Sequence, residues 1–325
     1  MCASYKKNRR KYYESNDLRK LQTKAVKTNV REAIKQLLQH TIVYKYQLPY
    51  NGIDKTSLST EPDKCFCVAS NASLSELIYN GIVEYALGEK HVDLSNLKLC
   101  QRKAIVSRLR FEDTASQDTK LKYGFYGEVV LDLILQHTFS SSVLLAKGYF
   151  YNPLENSETK GYDAYQFYCK NNELSLLLGE VKFYASFSAA IKKILDNLEK
   201  AVSAEYFSKN VLALINEKGN FDSVPQKFSE IIEKWESNPD INLYSEVLRN
   251  GIKLHYPMLV LYDATQPTFD DVIKNSVNTT NSEFAKRTIN IGMDIELFFI
   301  LIPVESAKII KEGVIEWISK NEPLR

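Results

Sequence analysis

The segment Leu174–Lys182 constrains the fold most, because its apolar run ends in a Glu, a Val and a Lys. A run of this kind, preceded by turn-forming residues, predicts a strand buried inside a sheet. Charges at the end of a buried strand cost free energy unless they are paired or used for chemistry. Since side chains alternate between faces along a strand, Glu180 and Lys182 point to one face and Val181 to the other. The segment therefore predicts a sheet in which a carboxylate and an ammonium share one site.

Beyond residue 120 the pattern alternates between apolar strands and amphipathic helices. The other predicted strands cover residues 143–151, 162–168, 258–262 and 295–302, and the predicted helices cover 124–136, 186–207 and 305–318. Asn171 and Asn172 predict a tight turn between two strands, which makes them an antiparallel hairpin. The fold class predicted is α/β (α+β), with a mixed central sheet flanked by helices.

The first 110 residues read as a separate, mainly helical module. Apolar spacing predicts helices over residues 17–40, 73–87 and 94–109, and a Ser-x-x-Glu capping box formed by Ser73 and Glu76 opens the second. The polar stretch Glu112–Lys120 marks the boundary. The predicted domains are residues 1–110 and 111–325.

Positive charge is concentrated at the N-terminal end of the chain. Residues 1–50 carry a net charge of +9, although the whole chain carries only +2. A solvated basic helix is one interpretation, and a surface for a polyanion or a partner protein is the other. If the segment binds DNA, neutralising Lys6, Lys7, Arg9, Arg10 and Lys11 should weaken DNA affinity and flatten its salt dependence.

Several functional classes are disfavoured. The longest apolar run, Leu297–Val304, is too short to cross a bilayer, and the charged N-terminus does not resemble a secretory signal. Five scattered cysteines suit a reducing cytoplasm, which is the predicted location. Cys65 and Cys67 have no second cysteine pair at the spacing of a structural zinc site. No phosphate-binding GxxxxGK[ST] loop occurs, so an ATP-driven step would belong to a partner.

Two further acids are expected near Glu180 and Lys182. Asp163 opens the preceding strand of the hairpin, where it could face Glu180. Glu128 lies in an otherwise apolar helix, and the neighbouring Gly124 and Gly127 allow that helix to pack closely on a sheet. Asp132, one helical turn later, is the second choice for the helix acid.

Three acids and a lysine at one end of a sheet suit metal-assisted phosphodiester hydrolysis. Asp163, Glu180 and the Val181 carbonyl match the oxygen ligands of Mg²⁺, for which Mn²⁺ could substitute, and Glu128 would be a further ligand, directly or through water. Lys182 would orient or deprotonate the attacking water. The structural alternatives are a salt bridge between Glu180 and Lys182, and a buried Glu128 paired with a cation.

Three motifs carry a family resemblance. The order of Glu128, Asp163 and Glu180-Val-Lys182 is similar to the core of PD-(D/E)xK nucleases, with Gly-Tyr-Asp163 in place of Pro-Asp. The runs Lys122–Glu128, Lys160–Ala164 and Leu178–Tyr184 resemble the C-terminal domain shared by the nuclease subunits of Hachiman-type (HamA) and Abp-type (AbpA) antiphage defence systems. This resemblance covers residues 105–325.

The resemblance implies a restriction-endonuclease-like core and a Mg²⁺-dependent deoxyribonuclease of bacterial antiphage defence. It also implies Glu128, Asp163, Glu180 and Lys182 as catalytic residues, a superfamily 2 helicase subunit as partner, and DNA cleavage with little sequence preference. Two alternatives stay open: a catalytically inactive scaffold or DNA-binding subunit of a helicase complex, and a restriction-type enzyme that cuts a defined sequence.

Overall fold

The computed structural model describes residues 31–48, 52–53, 62–88, 92–152, 157–158, 161–170, 173–221, 224–238 and 240–324. The five basic residues of the N-terminal prediction and the Asn171-Asn172 turn lie outside this part of the chain. Among the described residues, no helix is long and apolar enough to span a bilayer.

A seven-stranded mixed sheet forms the centre of the molecule and confirms the predicted fold class. In chain order its strands are β1 (Ile42–Gln47), β2 (Lys64–Val68), β3 (Ser142–Val143), β6 (Ala164–Lys170), β7 (Glu173–Tyr184), β8 (Lys253–Asp263) and β9 (Glu296–Val304). They lie side by side in the order β1-β2-β9-β8-β7-β6-β3. The central strands β2, β9, β8 and β7 are parallel, whereas β1, β6 and β3 run antiparallel to their neighbours. A separate hairpin pairs β4 (Tyr151–Asn152) with β5 (Ser157–Glu158).

The hairpin of β6 and β7 matches the sequence prediction. Its register runs from Ala164 opposite Gly179 to Lys170 opposite Glu173. Leucines at alternate positions of β7 enter the two cores on opposite faces of the sheet, since Leu176 belongs to one and Leu177 to the other. Burial on both faces explains why the segment is so uniformly apolar.

Helices cover both faces of the sheet. On one face lie α6 (Phe187–Ala201), α7 (Ala204–Asn216), α8 (Gln226–Glu236), α9 (Leu243–Arg249) and α10 (Phe269–Phe284). On the other lie α1 (residues 31–41), α2 (Asn71–Leu87), α3 (Leu97–Lys103), α5 (Phe125–Thr138) and α11 (Ala307–Lys320), while the single turn α4 (Gln117–Lys120) precedes α5. The predicted helix over 186–207 is therefore two helices, because Ser203 caps the N-terminus of α7.

Two other predictions require correction. The strand predicted over 143–151 ends after Val143, and the chain continues into a 3₁₀ turn, Lys147–Phe150. Helix α2 begins two residues earlier than predicted, with Ser70 as its N-cap and Ser73 as the reciprocal partner in the capping box.

The region before residue 110 is not purely helical. Its strands β1 and β2 join the central sheet, with β2 parallel to β9. Helix α2 packs on the same face of the sheet as α5 and α11. These strands were missed by the sequence analysis, and a domain boundary at residue 110 stays a prediction.

Candidate active site

Close packing between α5 and β7 sets the position of the site. A Cβ atom added at Gly127 of α5 would lie 2.8 Å from Val181 Cγ2, and one added at Gly179 of β7 would lie 2.7 Å from Leu131 Cδ2. Only glycine allows the helix to approach the strand this closely at both points. The predicted close packing on the sheet is thus confirmed for Gly127, whereas a Cβ atom added at Gly124 would meet only Glu128 of the same helix.

Strand β7 continues past the point where its neighbour β6 begins. Asp163 directly precedes the first residue of β6, beside this last part of β7. Asp163 donates its backbone N–H to the Gly179 carbonyl at 2.8 Å, and its Oδ2 accepts the Val181 backbone N–H at 2.8 Å. The carboxylate therefore takes the place of the next carbonyl of the β6–β7 ladder. This bond holds the Asp163 side chain beside the Glu180-Val-Lys182 segment.

Glu180 and Lys182 form a partly buried ion pair on one face of β7, as the alternation predicts. Lys182 Nζ donates to Glu180 Oε1 and also to the Val181 carbonyl oxygen, at 3.0 Å for the latter. Burial of Glu180 and the nearby Asp163 carboxylate raise the pKa of Glu180, against the opposing charge of Lys182. Burial alone would lower the pKa of Lys182, but Glu180 and Asp163 outweigh it and raise the value.

Tyrosines enclose the carboxylates on this face of the sheet. Burial raises the pKa of Tyr256 and of Tyr206, and the negative charges of Glu180 and Asp163 raise both further. These charges act strongly because the surrounding protein screens them less than water does. Glu180 and Asp163 therefore lie close enough to these buried tyrosines to act on them electrostatically.

Glu128 approaches from the opposite side of the sheet, because α5 packs on the face into which Val181 points. Its Oε2 atom accepts a hydrogen bond from the Tyr85 hydroxyl and lies 3.9 Å from Lys147 Nζ. Lys147 Nζ also donates to the Tyr162 carbonyl at 2.7 Å, directly before Asp163. The positive charge of Lys147 lowers the pKa of Glu180, so this lysine connects the helix acid electrostatically to the strand acids.

Lys147 is a site residue that was not predicted from the sequence. The residue lies in the segment predicted as a strand, where it is the one charge within the otherwise uncharged run Ser140–Phe150. A lysine buried in such a run requires a nearby acid as partner. This requirement could have predicted from the sequence that Lys147 lies beside one of the site's carboxylates. The short strand β3 and the 3₁₀ turn after it bring this buried side chain towards Glu128 and Tyr162.

Asp132, the second choice for the helix acid, has a different role. Its Oδ1 accepts a hydrogen bond from the Gln166 amide of β6, and its Oδ2 accepts one from Gln136 at 2.8 Å. Gln166 in turn accepts a bond from the Ser141 hydroxyl. Asp132 therefore connects helix α5 to strand β6 by a hydrogen bond.

The oxygen donors around Val181 are of the type that a divalent cation prefers, and a metal ion at this position stays a prediction. In the part of the chain that the structure describes, no three His, Cys, Asp or Glu side chains lie close enough to hold one ion. Glu128 therefore does not form a common ligand group with Asp163 and Glu180, and its role through a water molecule stays a prediction. However, the Lys182 ammonium contacts both the Glu180 carboxylate and the Val181 carbonyl oxygen. Two of the predicted metal ligands therefore already stabilise a positive charge, that of Lys182. Two carboxylates and a carbonyl are ligands that Mg²⁺ prefers.

The fold and the site define a mixed α/β protein with a partly buried carboxylate–lysine cluster at the end of a central strand. The model of the HamA family matches residues 50–318. The chain therefore belongs to the HamA family, whose context is Hachiman antiphage defence. No curated protein and no solved structure gives a significant match.

Proposed function

We propose that this chain is a divalent-metal-dependent deoxyribonuclease that acts in antiphage defence. The observation that carries the proposal is the arrangement of Asp163, Glu180 and Lys182 around the Val181 peptide groups. Membership of the HamA family supports the defence context. The family resemblance implies a helicase encoded beside this chain as the partner, and the lack of a phosphate-binding loop in this sequence is compatible with it.

Each residue has a distinct role in the proposed reaction. Asp163, Glu180 and the Val181 carbonyl would hold Mg²⁺, which would polarise the phosphodiester and lower the pKa of a bound water molecule. Lys182 would release Glu180 and the Val181 carbonyl, then orient the attacking water and offset negative charge on the phosphate. Glu128 would orient a water molecule at the edge of the site, and Lys147 would hold Glu128 in place.

The decisive experiment compares two isosteric substitutions on the same strand. Glu180→Gln should lower the rate of plasmid cleavage in Mg²⁺ by at least ~100-fold, the scale expected for loss of one catalytic group. Glu173→Gln is the matched control, because Glu173 forms an exposed ion pair with Lys253 at the other end of β7. Both variants are assayed alone and with the neighbouring helicase, with EDTA added in parallel. Equal cleavage by Glu180→Gln and wild type would exclude the assigned site.

The ion pair between Glu180 and Lys182 also favours a second candidate, an inactive subunit in which these groups only stabilise the fold. Titration with Mn²⁺, followed by electron paramagnetic resonance, separates the two. A nuclease should bind Mn²⁺ in a manner that Glu180→Gln weakens and Glu173→Gln does not. An inactive subunit should neither bind Mn²⁺ there nor nick DNA with helicase present. Discrete fragments in place of a smear would indicate a restriction-type enzyme.

A further inference from the structure

A cleft of about 250 Å³ adjoins Glu128 and Lys147, and Lys147 also donates to the Tyr162 carbonyl directly before Asp163. Its lining combines two cations, Arg108 and Lys147, with the aromatic residues Tyr85, Tyr123 and Phe125. With the Glu128 carboxylate included, the charged side chains leave one net positive charge. A cleft with cationic and aromatic walls suits a nucleotide, whose phosphate and base require these two kinds of contact.

Arg108 is a cation of this cleft that forms no ion pair with a described carboxylate. It lies at the end of a π turn, Ala104–Arg108, a form of helix that is frequent at functional sites. Its guanidinium contacts the Tyr149 ring at 4.5 Å and the Gly148 carbonyl at 3.5 Å, and no described carboxylate forms an ion pair with it. Most of the five N–H donors of this half-buried arginine are therefore available to an anion.

The chain segment that contributes Arg108 and Leu109 to the cleft is also basic. Residues 98–122 contain seven Lys or Arg against three acidic residues. The N-terminus of α5 lies at the cleft, since its N-cap residue, Gly124, is part of the cleft wall. Gly124 has no side chain that could cap the helix by a hydrogen bond. Backbone N–H groups at a helix start favour an anion, but here the Glu128 carboxylate lies close to Gly124, so the cleft's charge for a phosphate comes from Arg108.

Tyr123 supplies the stacking surface. Tyr85 and Phe125 are buried, whereas Tyr123 is only half buried, with its ring inclined to Phe111 and Phe125. Its hydroxyl donates to the Arg110 carbonyl at 3.4 Å, which fixes the ring beside the opening. A base can stack on an aromatic ring of this kind only when it is not stacked inside a duplex.

We infer that this cleft binds one unpaired nucleotide of the substrate strand, next to the bond that is cut, with its phosphate on Arg108 and its base on Tyr123. The inference rests on the proposed nuclease function and adds the form of DNA attacked. Single-stranded DNA, or a duplex with an unpaired nucleotide, is then the preferred substrate.

The test measures binding of labelled oligonucleotides by fluorescence anisotropy, with Glu180→Gln as the parent so that cleavage does not interfere. Single-stranded DNA, a blunt duplex and a duplex with one unpaired nucleotide are compared. Tyr123→Leu should lower affinity for the two unpaired substrates by about 5- to 100-fold and affect the blunt duplex much less. Tyr123→Phe keeps the ring and should retain affinity, which separates stacking from a defect in folding.

Arg108→Gln should weaken binding of all three substrates and reduce the slope of log affinity against log salt by about one. Arg108→Lys should retain most of that slope. Arg249→Gln on α9 is the control, since it removes an exposed arginine outside the cleft. Equal losses by Tyr123→Leu on paired and unpaired DNA, or unchanged binding by Tyr123→Leu and Arg108→Gln, would overturn the inference.

The two proposals fail in different ways. If Glu180→Gln abolishes cleavage but the cleft variants bind normally, the inference fails and the nuclease function stands. If Glu180→Gln cleaves as well as wild type while Tyr123→Leu still loses unpaired substrates, the nuclease site is wrong. The nucleotide would then bind to a cleft that is not beside the reacting bond, which also overturns the inference.

Discussion

At the scale of single residues, Asp163 combines a charge with a structural hydrogen bond, and two substitutions separate these roles. Asp163→Asn can still accept the Val181 N–H but removes the negative charge beside Glu180. We expect it to unfold near the wild-type temperature and to cleave DNA at least ~100-fold more slowly. Asp163→Ala should also lose about 1–3 kcal/mol of stability, because the buried N–H loses its partner. Thermal melts and plasmid cleavage measure both effects, and wild-type cleavage by the Asn variant would contradict the assignment.

His137 gives the fold a predicted dependence on pH. Burial lowers the pKa of His137 to about 4, helped by the charges of Arg31 and Lys35, against the opposing charge of Glu32. Its buried Nε2 has no hydrogen-bond partner among the described residues. The unfolded chain, with a pKa near 6.5, binds this proton more readily, so stability should fall as the pH drops from 7 towards 4.

The full effect, which is reached near pH 4, is about 2 kcal/mol after allowance for partial solvent screening, and about half of it falls between pH 7 and pH 5. Urea midpoints at pH 7 and pH 5 measure it in wild type and in His137→Gln, whose side chain does not titrate. The variant should lose less stability than wild type between the two pH values. An identical loss would show that other groups cause the acid sensitivity.

At the scale of elements, the contact between α5 and β7 should tolerate no added volume. Gly127→Ala places a Cβ 2.8 Å from Val181 Cγ2 and 3.3 Å from Phe183 Cβ, both of which β7 holds in place. We expect a loss of about 1–3 kcal/mol, because the overpacking outweighs the better helix propensity of alanine. Cleavage should fall as well, since Val181 carries the site's peptide groups. Chemical denaturation and plasmid cleavage measure the two effects.

Gly219→Ala is the control, as a Cβ there would meet nothing within 4 Å and the residue does not have a positive φ. This variant should match wild type or gain up to ~1 kcal/mol through the unfolded chain. If both glycine variants unfold alike, the close approach of α5 to β7 does not limit stability.

Elements with strong periodicity could be predicted from the sequence, and short or exposed ones could not. The buried strand β7 and helix α5 have long apolar patterns that indicate their type, and Gly127 indicated that the helix packs closely on the sheet. Strand β1 follows a helix without a break and is exposed at four of its six positions, so it lacks the alternation that marks a strand. The sequence also placed Asp163 beside Glu180, but Lys147 depends on a 3₁₀ turn that has no periodic signal.

At the scale of the whole molecule, the region before residue 110 is part of both the core and the site. Helix α2 packs on α5 and α11 so closely that a Cβ at Gly81 would lie 2.7 Å from Val129 Cγ1, and one at Gly313 would lie 2.5 Å from Ser75 Oγ. Tyr85 of the same helix binds Glu128. The apolar surfaces of α5 and α11 that α2 covers are therefore exposed without this region.

This dependence predicts the outcome of two truncations. Fragment 111–325 loses α2, where Leu74, Leu77, Ile78 and Ile82 are fully buried; at about 1.5–3 kcal/mol each, their loss costs ~10 kcal/mol. That is comparable to the whole stability of a typical domain, so the fragment should not unfold cooperatively by circular dichroism. Fragment 31–325 keeps every described element and should retain a cooperative transition. If fragment 111–325 melts cooperatively at the wild-type temperature, the C-terminal domain folds independently, and the contact between Tyr85 and Glu128 joins two separate units.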